Sequence, residues 1–113
     1  MTIKDHLIGM EIFAAQKKLP EYEERFSEIV SGDIEPVSQF IAEELGRTLM
    51  LFSKEETAKN NVNELAHRLQ SVIGEQKLMM TEQLFDSLIY IFTESQQWSK
   101  VNSLMTNAKY ETC

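Results

Sequence analysis

The sequence predicts an all-α, single-domain bundle of five to six helices arranged as antiparallel helical hairpins. Apolar residues recur every three or four positions along nearly the whole chain, and no stretch shows convincing strand alternation. Four Gly and two Pro in 113 residues are too few for a turn-rich β-sandwich or barrel. A chain of this length supports a single core. We therefore expect one helical domain over residues 1–113, with a polar, frayed tail from about residue 107.

The first two helices are predicted from the signals at their ends. Thr2 and Asp5 form a start that is similar to a capping box, which places helix one over residues 3–18. Pro20 ends that helix and suits the first turn of the next one. Helix two is expected to end just before Gly32, because Gly readily adopts the left-handed conformation that follows a helix.

The remaining helices are predicted from the same kinds of signal. Asp33 is expected to cap helix three, with Pro36 tolerated in its first turn. Ser53 and Glu56 form a capping box that predicts the start of helix four, and Gly74 is expected to end it. Thr81 is expected to cap helix five, and a short final helix contains Trp98. Six helices with short links pair naturally as hairpins, and the lack of a fixed repeat favours a bundle over a short solenoid.

The sequence offers no positive evidence of catalysis, so we predict that the protein is not an enzyme. Glu64 and His67 form a Glu-x-x-His unit, which carboxylate-bridged di-iron bundles use twice, but it occurs once here. Both side chains are expected to point away from the apolar stripe of helix four, towards solvent. No carboxylate pair is predictably placed in an apolar pocket, and no Gly-rich phosphate loop is present. We expect no metal and no cofactor.

The compartment is predicted from the cysteine content and the apolar runs. Cys113 is the only cysteine, so no intrachain disulfide can form, which fits a reducing cytoplasm. The first six residues lead into no continuous apolar stretch, so no signal peptide is predicted. No apolar run approaches the roughly 20 residues of a membrane span. We expect a cytoplasmic protein with no membrane partner.

The formal net charge of −7 is concentrated in one part of the chain. Residues 21–44 hold eight acids and one base, whereas the remainder is balanced. Direct nucleic-acid binding is not expected, because it needs a basic surface. The acidic residues expected on the outward sides of helices two and three are Glu21, Glu24, Glu28, Glu35 and Glu43. They are predicted to merge into one acidic face, which either is simply solvated or steers and binds a basic protein partner.

Helix one carries apolar residues on two sides. Its first stripe consists of Ile3, Leu7, Met10 and Ala14, and its second of Ile8, Ile12, Ala15 and Leu19. Such a helix is expected at the centre of the bundle; otherwise one stripe docks a partner or a second copy of the chain, which leaves a homodimer open. Met50 falls on the polar side of helix three, in a row with Gln39, Glu43 and Gly46. It is the one internal Met that suggests an adaptable binding surface.

The segment around the turn between helices two and three resembles a known family. The two stretches are Phe26–Asp33 and Val37–Leu45. Their helix–Gly–Asp–helix pattern resembles small helical immunity proteins of bacterial polymorphic-toxin and contact-dependent inhibition systems. The resemblance implies a cytoplasmic protein that neutralises a toxin, commonly a basic nuclease, by occluding its active site. It supplies no site residues.

Three functions are compatible with these observations. The first is an immunity or antitoxin-like inhibitor that neutralises a basic toxin by occluding it. The second is a helical adaptor or secretion chaperone that shields an amphipathic client segment in a groove between helix one and the Trp98 hairpin. The third is a regulator whose acidic face mimics DNA. Ionic strength separates the first and third from the second, because binding by an acidic face weakens with added salt.

Overall fold

The structure is a computed structural model that describes the backbone of residues 2–111 and the side chains of residues 2–106. The helices are α1 (Ile3–Ala15), α2 (Leu19–Val30), α3 (Gln39–Met50), α4 (Lys59–Glu75), α5 (Glu82–Glu94) and α6 (Trp98–Glu111), with a short 3-10 turn over Glu56–Ala58 before α4. Residues 2–111 contain no strand. The predicted all-α, single-domain bundle is therefore confirmed.

The six helices form three hairpins. Helix α1 packs on α2, α3 on α4, and α5 on α6, while α3 also packs on both α1 and α5. Arg47 of α3 pairs with Glu11 of α1, and Lys17, just after α1, donates to the carbonyl of Leu51, just after α3. Because the later residue of one helix contacts the later residue of the other, α1 and α3 run in the same direction. Thr81 at the start of α5 contacts Glu43, and Ser87 further along α5 lies against Gly46 further along α3, so α5 runs in that direction too. Helices α1, α3 and α5 thus form one layer with α3 at its centre, and α2 packs on α4 in the other.

The core lies between the layers and is closed around α3. Its buried side chains on that helix are Ile41, Ala42, Leu45, Thr48 and Leu49. Tyr22 of α2 enters this core completely, and its hydroxyl lies 2.8 Å from Thr48 Oγ1 and donates to the Leu45 carbonyl at 3.3 Å. Burial raises the pKa of the Tyr22 phenol above its usual value. The polar atom that α2 brings into the core is therefore satisfied by α3.

Several predicted helix ends are confirmed, because local side chains determine them. Thr2 and Asp5 form both bonds of a capping box at α1. Pro20 lies in the first turn of α2, and Gly32 follows that helix with φ of 80°. Thr81 caps α5 by accepting a bond from the Leu84 amide. The backbone of α6 is helical to Glu111, beyond the start of the predicted frayed tail; residues 112 and 113 lie outside the described range.

The predicted start of helix three is wrong. Helix α3 begins at Gln39, where the Ser38 hydroxyl accepts a bond from the Ile41 amide. Pro36 disfavours helical geometry at the residue before it, so the helix cannot easily extend back to Asp33. Residues 31–38 form a connecting segment instead. The shift removes residues 34–38 from the predicted helix, whereas the predicted positions from Gln39 to Met50 are helical.

The predicted start of helix four is also wrong, and its end lies at Glu75, one residue beyond the predicted Gly74. Ser53 is buried and donates to the Met50 carbonyl at 2.6 Å, so it terminates α3 rather than capping α4. Helix α4 begins at Lys59, after the 3-10 turn. At the other end Gly74 is inside the helix, and Lys77 takes the left-handed position with φ of 55°. The bonds from Lys77 to Gly74 and from Leu78 to Ile73 complete this helix end in place of a glycine.

Candidate functional site

The predicted acidic residues of α2 lie together on its exposed side. Glu21, Glu24 and Glu28 are exposed, whereas Tyr22 and Phe26 on the opposite side are completely buried. We call these three carboxylates the acidic row. The row extends over eight residues, or about 10 Å along the helix axis. It is held rigidly, because the helix that carries it is anchored in the core.

One end of the acidic row adjoins α1 through a buried histidine. The Glu28 carboxylate lies 3.8 Å from Nδ1 of His6, and Arg25 donates to the same nitrogen at 2.7 Å. His6 is 7% exposed, whereas the Glu28 side chain is 47% exposed, so the carboxylate remains accessible to solvent at this end of the row. On the opposite flank, Glu23 accepts a bond from Asn61 of α4. The acidic row therefore lies on a helix that is fixed on both sides by polar contacts.

The predicted merger of five carboxylates into one acidic face is wrong. Glu35 is exposed on the connecting segment and not on a helix. Glu43 is half-buried and accepts a bond from the Thr81 hydroxyl at 2.9 Å, so it faces α5. The physical reason is that the polar side of α3 is an interface rather than a solvated surface. The structure places Glu21, Glu24 and Glu28 on one side of α2, turns Glu43 towards α5, and leaves Glu35 on the connecting segment that follows α2.

That polar interface between α3 and α5 has specific hydrogen bonds. The Gln39 side chain donates to the Met79 carbonyl and accepts from the Met79 amide. At Gly46, an added Cβ would lie 3.3 Å from Cβ of Ser87, so the two helices approach closely there. The glycine inside a polar row is the sequence signal that points to this contact.

Arg47 forms the centre of the α1–α3–α5 layer. Its guanidinium donates to Glu44 through Nε at 3.1 Å and through Nη2 at 2.6 Å, and Nη2 lies 3.4 Å from Glu11 of α1. The hydrogen bonds from Arg47 to Glu44, with a smaller contribution from Glu11, raise the pKa of Arg47. Glu44 is therefore committed to an internal ion pair and adds little free negative charge.

The second apolar stripe of α1 is exposed rather than buried. Ile8 and Ile12 are about half exposed, at 50% and 48%. Ile8 lines a depression with Leu7 and with Phe40 of α3, which is 62% exposed. The expectation that α1 is central is wrong, because α1 packs mainly on α2 and α3 and lies at the edge of its layer. Clustered exposed apolar residues of this kind mark interaction surfaces.

The predicted groove between helix one and the Trp98 hairpin does not form. Trp98 begins α6 and is 57% exposed, and α6 packs on α5, whereas α1 packs on α2 and α3. A different groove runs along α3 and α5. It consists of two adjoining depressions of about 660 and 500 Å³ that share Arg47 and Met50. We call it the α3–α5 groove; its other charged or apolar lining residues are Lys17, Leu51, Lys54, Glu82, Asp86 and Tyr90.

Among residues 2–106, no group of three or more His, Cys, Asp or Glu side chains is placed to hold a metal ion. Glu64 is exposed as predicted, but His67 is only partly exposed and its ring packs 5.2 Å from that of Phe92. Burial, and then the charge of Lys100, lower the pKa of His67. Within the described part of the chain, no helix has the length and apolar character needed to cross a membrane. Cys113 lies outside the described residues.

Comparisons of the chain with protein-family models, curated proteins and solved structures find no match. The resemblance to immunity proteins therefore stays a prediction. Any functional argument must come from the surfaces described above.

Proposed function

We propose that the protein is a small acidic inhibitor of the immunity or antitoxin type, which binds a basic protein through the acidic row and neutralises it by occlusion. The observation that supports this most directly is the row itself. Glu21, Glu24 and Glu28 are exposed on one side of α2, and the other side of that helix is buried in the core. In this proposal the protein acts in the bacterial cytoplasm and needs no cofactor.

The anchoring of α2 in the core matters for binding, because a backbone that is already fixed need not be ordered when a partner docks. The net charge of −7 also produces a field that attracts a basic protein from a distance. At physiological ionic strength that field decays over about 8 Å, so both the association rate and the affinity are expected to fall as salt is added.

The test compares two double substitutions of equal charge. Glu21→Lys with Glu24→Lys reverses two charges in the acidic row, and Glu64→Lys with Glu75→Lys reverses two exposed charges on α4. A candidate partner is recovered by pull-down and mass spectrometry, and its affinity is then measured by surface plasmon resonance. The row variant is expected to weaken binding about tenfold or more, and the α4 variant far less.

The outcomes of that comparison are distinguishable. Equal losses in both variants would show that net charge alone matters, and no loss in either would show that the acidic row is only solvated. Circular dichroism on each variant verifies that the fold is intact, since exposed substitutions should change stability by no more than about 0.5 kcal/mol. For an inhibitor, the wild type must also suppress the partner's activity in the same assay, and the row variant must not.

A helical adaptor that covers an amphipathic client segment is the second candidate. The specific observation that favours it is the exposure of Ile8 and Ile12 beside Phe40. Binding there would depend weakly on salt, because the contact is mainly apolar. Substitution of Ile8 and Ile12 by Ser would then abolish partner binding, whereas reversal of the acidic row would leave it unchanged.

A further inference from the structure

The α3–α5 groove has opposite charges at its two ends. Glu82 and Asp86 are exposed at one end, and neither forms an ion pair with another described residue. Lys54 is exposed at the other end and is likewise without an ion pair within residues 2–106. Lys17 lies beside it, donates to the Leu51 carbonyl at 3.0 Å and is 3.5 Å from a carboxylate of Glu55. Glu55 offsets the charge of Lys17, so the groove is negative at the start of α5, and near the end of α3 its unpaired positive charge is that of Lys54.

The middle of the groove is apolar and nearly neutral. Met50 is half-buried, Leu51 is 40% exposed, and Tyr90 is partly exposed beside them. Methionine is unbranched and polarizable, so it adapts to differently shaped apolar partners. Arg47 also lines the middle, but it is paired with two carboxylates, Glu44 and Glu11, so it adds no free positive charge there. The two charged ends of the groove are thus separated by an apolar surface.

We propose that the α3–α5 groove binds an amphipathic helix of a partner protein. Basic side chains of that helix would meet Glu82 and Asp86, apolar ones would cover Met50 and Leu51, and acidic ones would meet Lys54. Residues 82–90 of α5 extend over about 12 Å, since a helix rises about 1.5 Å per residue. The partner's basic and acidic residues should therefore be separated by seven or eight positions.

The charge pattern favours this occupant over the two obvious others. A second copy of the chain would bring together two molecules that each carry a charge of −7. A uniformly basic segment would gain from Glu82 and Asp86 at one end but would be repelled by Lys54 at the other. A helix with opposite charges at its ends matches both ends of the groove and is orientated by them. This site is separate from the acidic row, so it does not depend on the function proposed above.

A peptide selection against the full-length protein tests the proposal. The probe is a phage-displayed library of 16-residue helices with a fixed apolar stripe and randomised positions at both ends. Selected peptides are expected to carry Lys or Arg at one end and Asp or Glu seven or eight positions away. The same selection against a Lys54→Glu variant is expected to lose the acidic residues, because the attractive charge is reversed.

Matched variants decide whether the selected peptides use this groove. Glu82→Lys with Asp86→Lys should weaken their affinity about tenfold or more in fluorescence anisotropy. Glu21→Lys with Glu24→Lys makes the same change in charge on α2 and should leave the affinity within about twofold. Both variants should retain wild-type helicity by circular dichroism, because all four positions are exposed.

A methyl NMR spectrum gives the location of binding without any substitution. Addition of a selected peptide is expected to shift the methyl resonance of Met50, while that of Met10, which is completely buried on α1, stays in place. The proposal is overturned if selection enriches no charge-polarised peptides, if both double variants weaken binding equally, or if the Met50 resonance does not move.

Discussion

Replacement of Gly74 by Ala tests the end of α4, where structure and sequence disagree. The sequence predicts that α4 ends at Gly74, whereas the structure places Gly74 inside the helix and gives the left-handed position to Lys77. An added Cβ at Gly74 would meet no atom within 4 Å. Ala is favoured over Gly in a helix interior by about 0.5–1 kcal/mol, so Gly74→Ala should stabilise the protein by that amount. The expected rise in Tm is about 2–5 °C.

Gly32 provides a matched control for this prediction. An added Cβ at Gly32 would likewise meet no atom within 4 Å, but the φ of this residue is 80°. A left-handed conformation costs a non-glycine residue about 1–2 kcal/mol, so Gly32→Ala should lower the Tm while Gly74→Ala raises it. Thermal unfolding followed at 222 nm measures both. A fall in Tm for Gly74→Ala would refute the assignment of Lys77 as the left-handed residue, because it would place Gly74 there instead.

Three individual contacts lead to further predictions. Lys77→Gly should stabilise the protein by about 0.5–1 kcal/mol in urea unfolding, because Gly adopts the left-handed conformation without strain. The gain is smaller than the strain itself, because Gly also raises the conformational entropy of the unfolded chain. Tyr22→Phe should cost about 1 kcal/mol in the same assay, since it removes the buried hydroxyl that contacts Thr48. The lowered pKa of His67 means that the folded state binds fewer protons there. Stability should therefore fall as pH drops below about 6.5, and less steeply in a His67→Gln variant followed by Tm.

Helix starts were predictable from sequence where one side chain decides them. Thr2 and Asp5 cap the first amides of α1, and Thr81 caps those of α5. No competing capping signal lies near either start. The start of α3 was not predictable in this way, because Asp33 and Ser38 are both good caps on either side of Pro36. The restraint that Pro36 places on the preceding residue settles the choice in favour of Ser38.

Helix ends were harder to predict than helix starts. Lys17, Lys77 and Gln96 all hold the left-handed position after a helix, with φ of 59°, 55° and 60°. Each is followed by a residue whose amide bonds to the carbonyl five positions earlier, so all three ends share one hydrogen-bonded geometry. A search for Gly finds the end of α2 and misses these three. The tertiary requirement for a turn at these points outweighs the intrinsic preference of the side chain.

The surfaces were the least predictable feature, because sequence polarity does not say which neighbour a helix side faces. The row that contains Gln39 and Glu43 looks solvated in sequence, yet its hydrogen bonds to Met79 and Thr81 make it an interface with α5. The second stripe of α1 looks buried, yet Ile8 is half exposed, because no helix covers that edge. Both errors have one cause: the position of each helix in the layers is decided by packing across the whole chain.

The two proposed surfaces lie on different layers, and this bears on how they act together. The acidic row is on α2, whereas the groove lies between α3 and α5 in the other layer. No charged residue is shared between them, so substitutions in one should leave the intrinsic affinity of the other unchanged. If one partner engages both, its affinity exceeds that of either contact alone, because the second contact forms within an existing complex. In that case, reversal of Glu21 and Glu24 would weaken the whole partner but not the isolated helical segment. That difference would show two contacts on one protein rather than two separate partners.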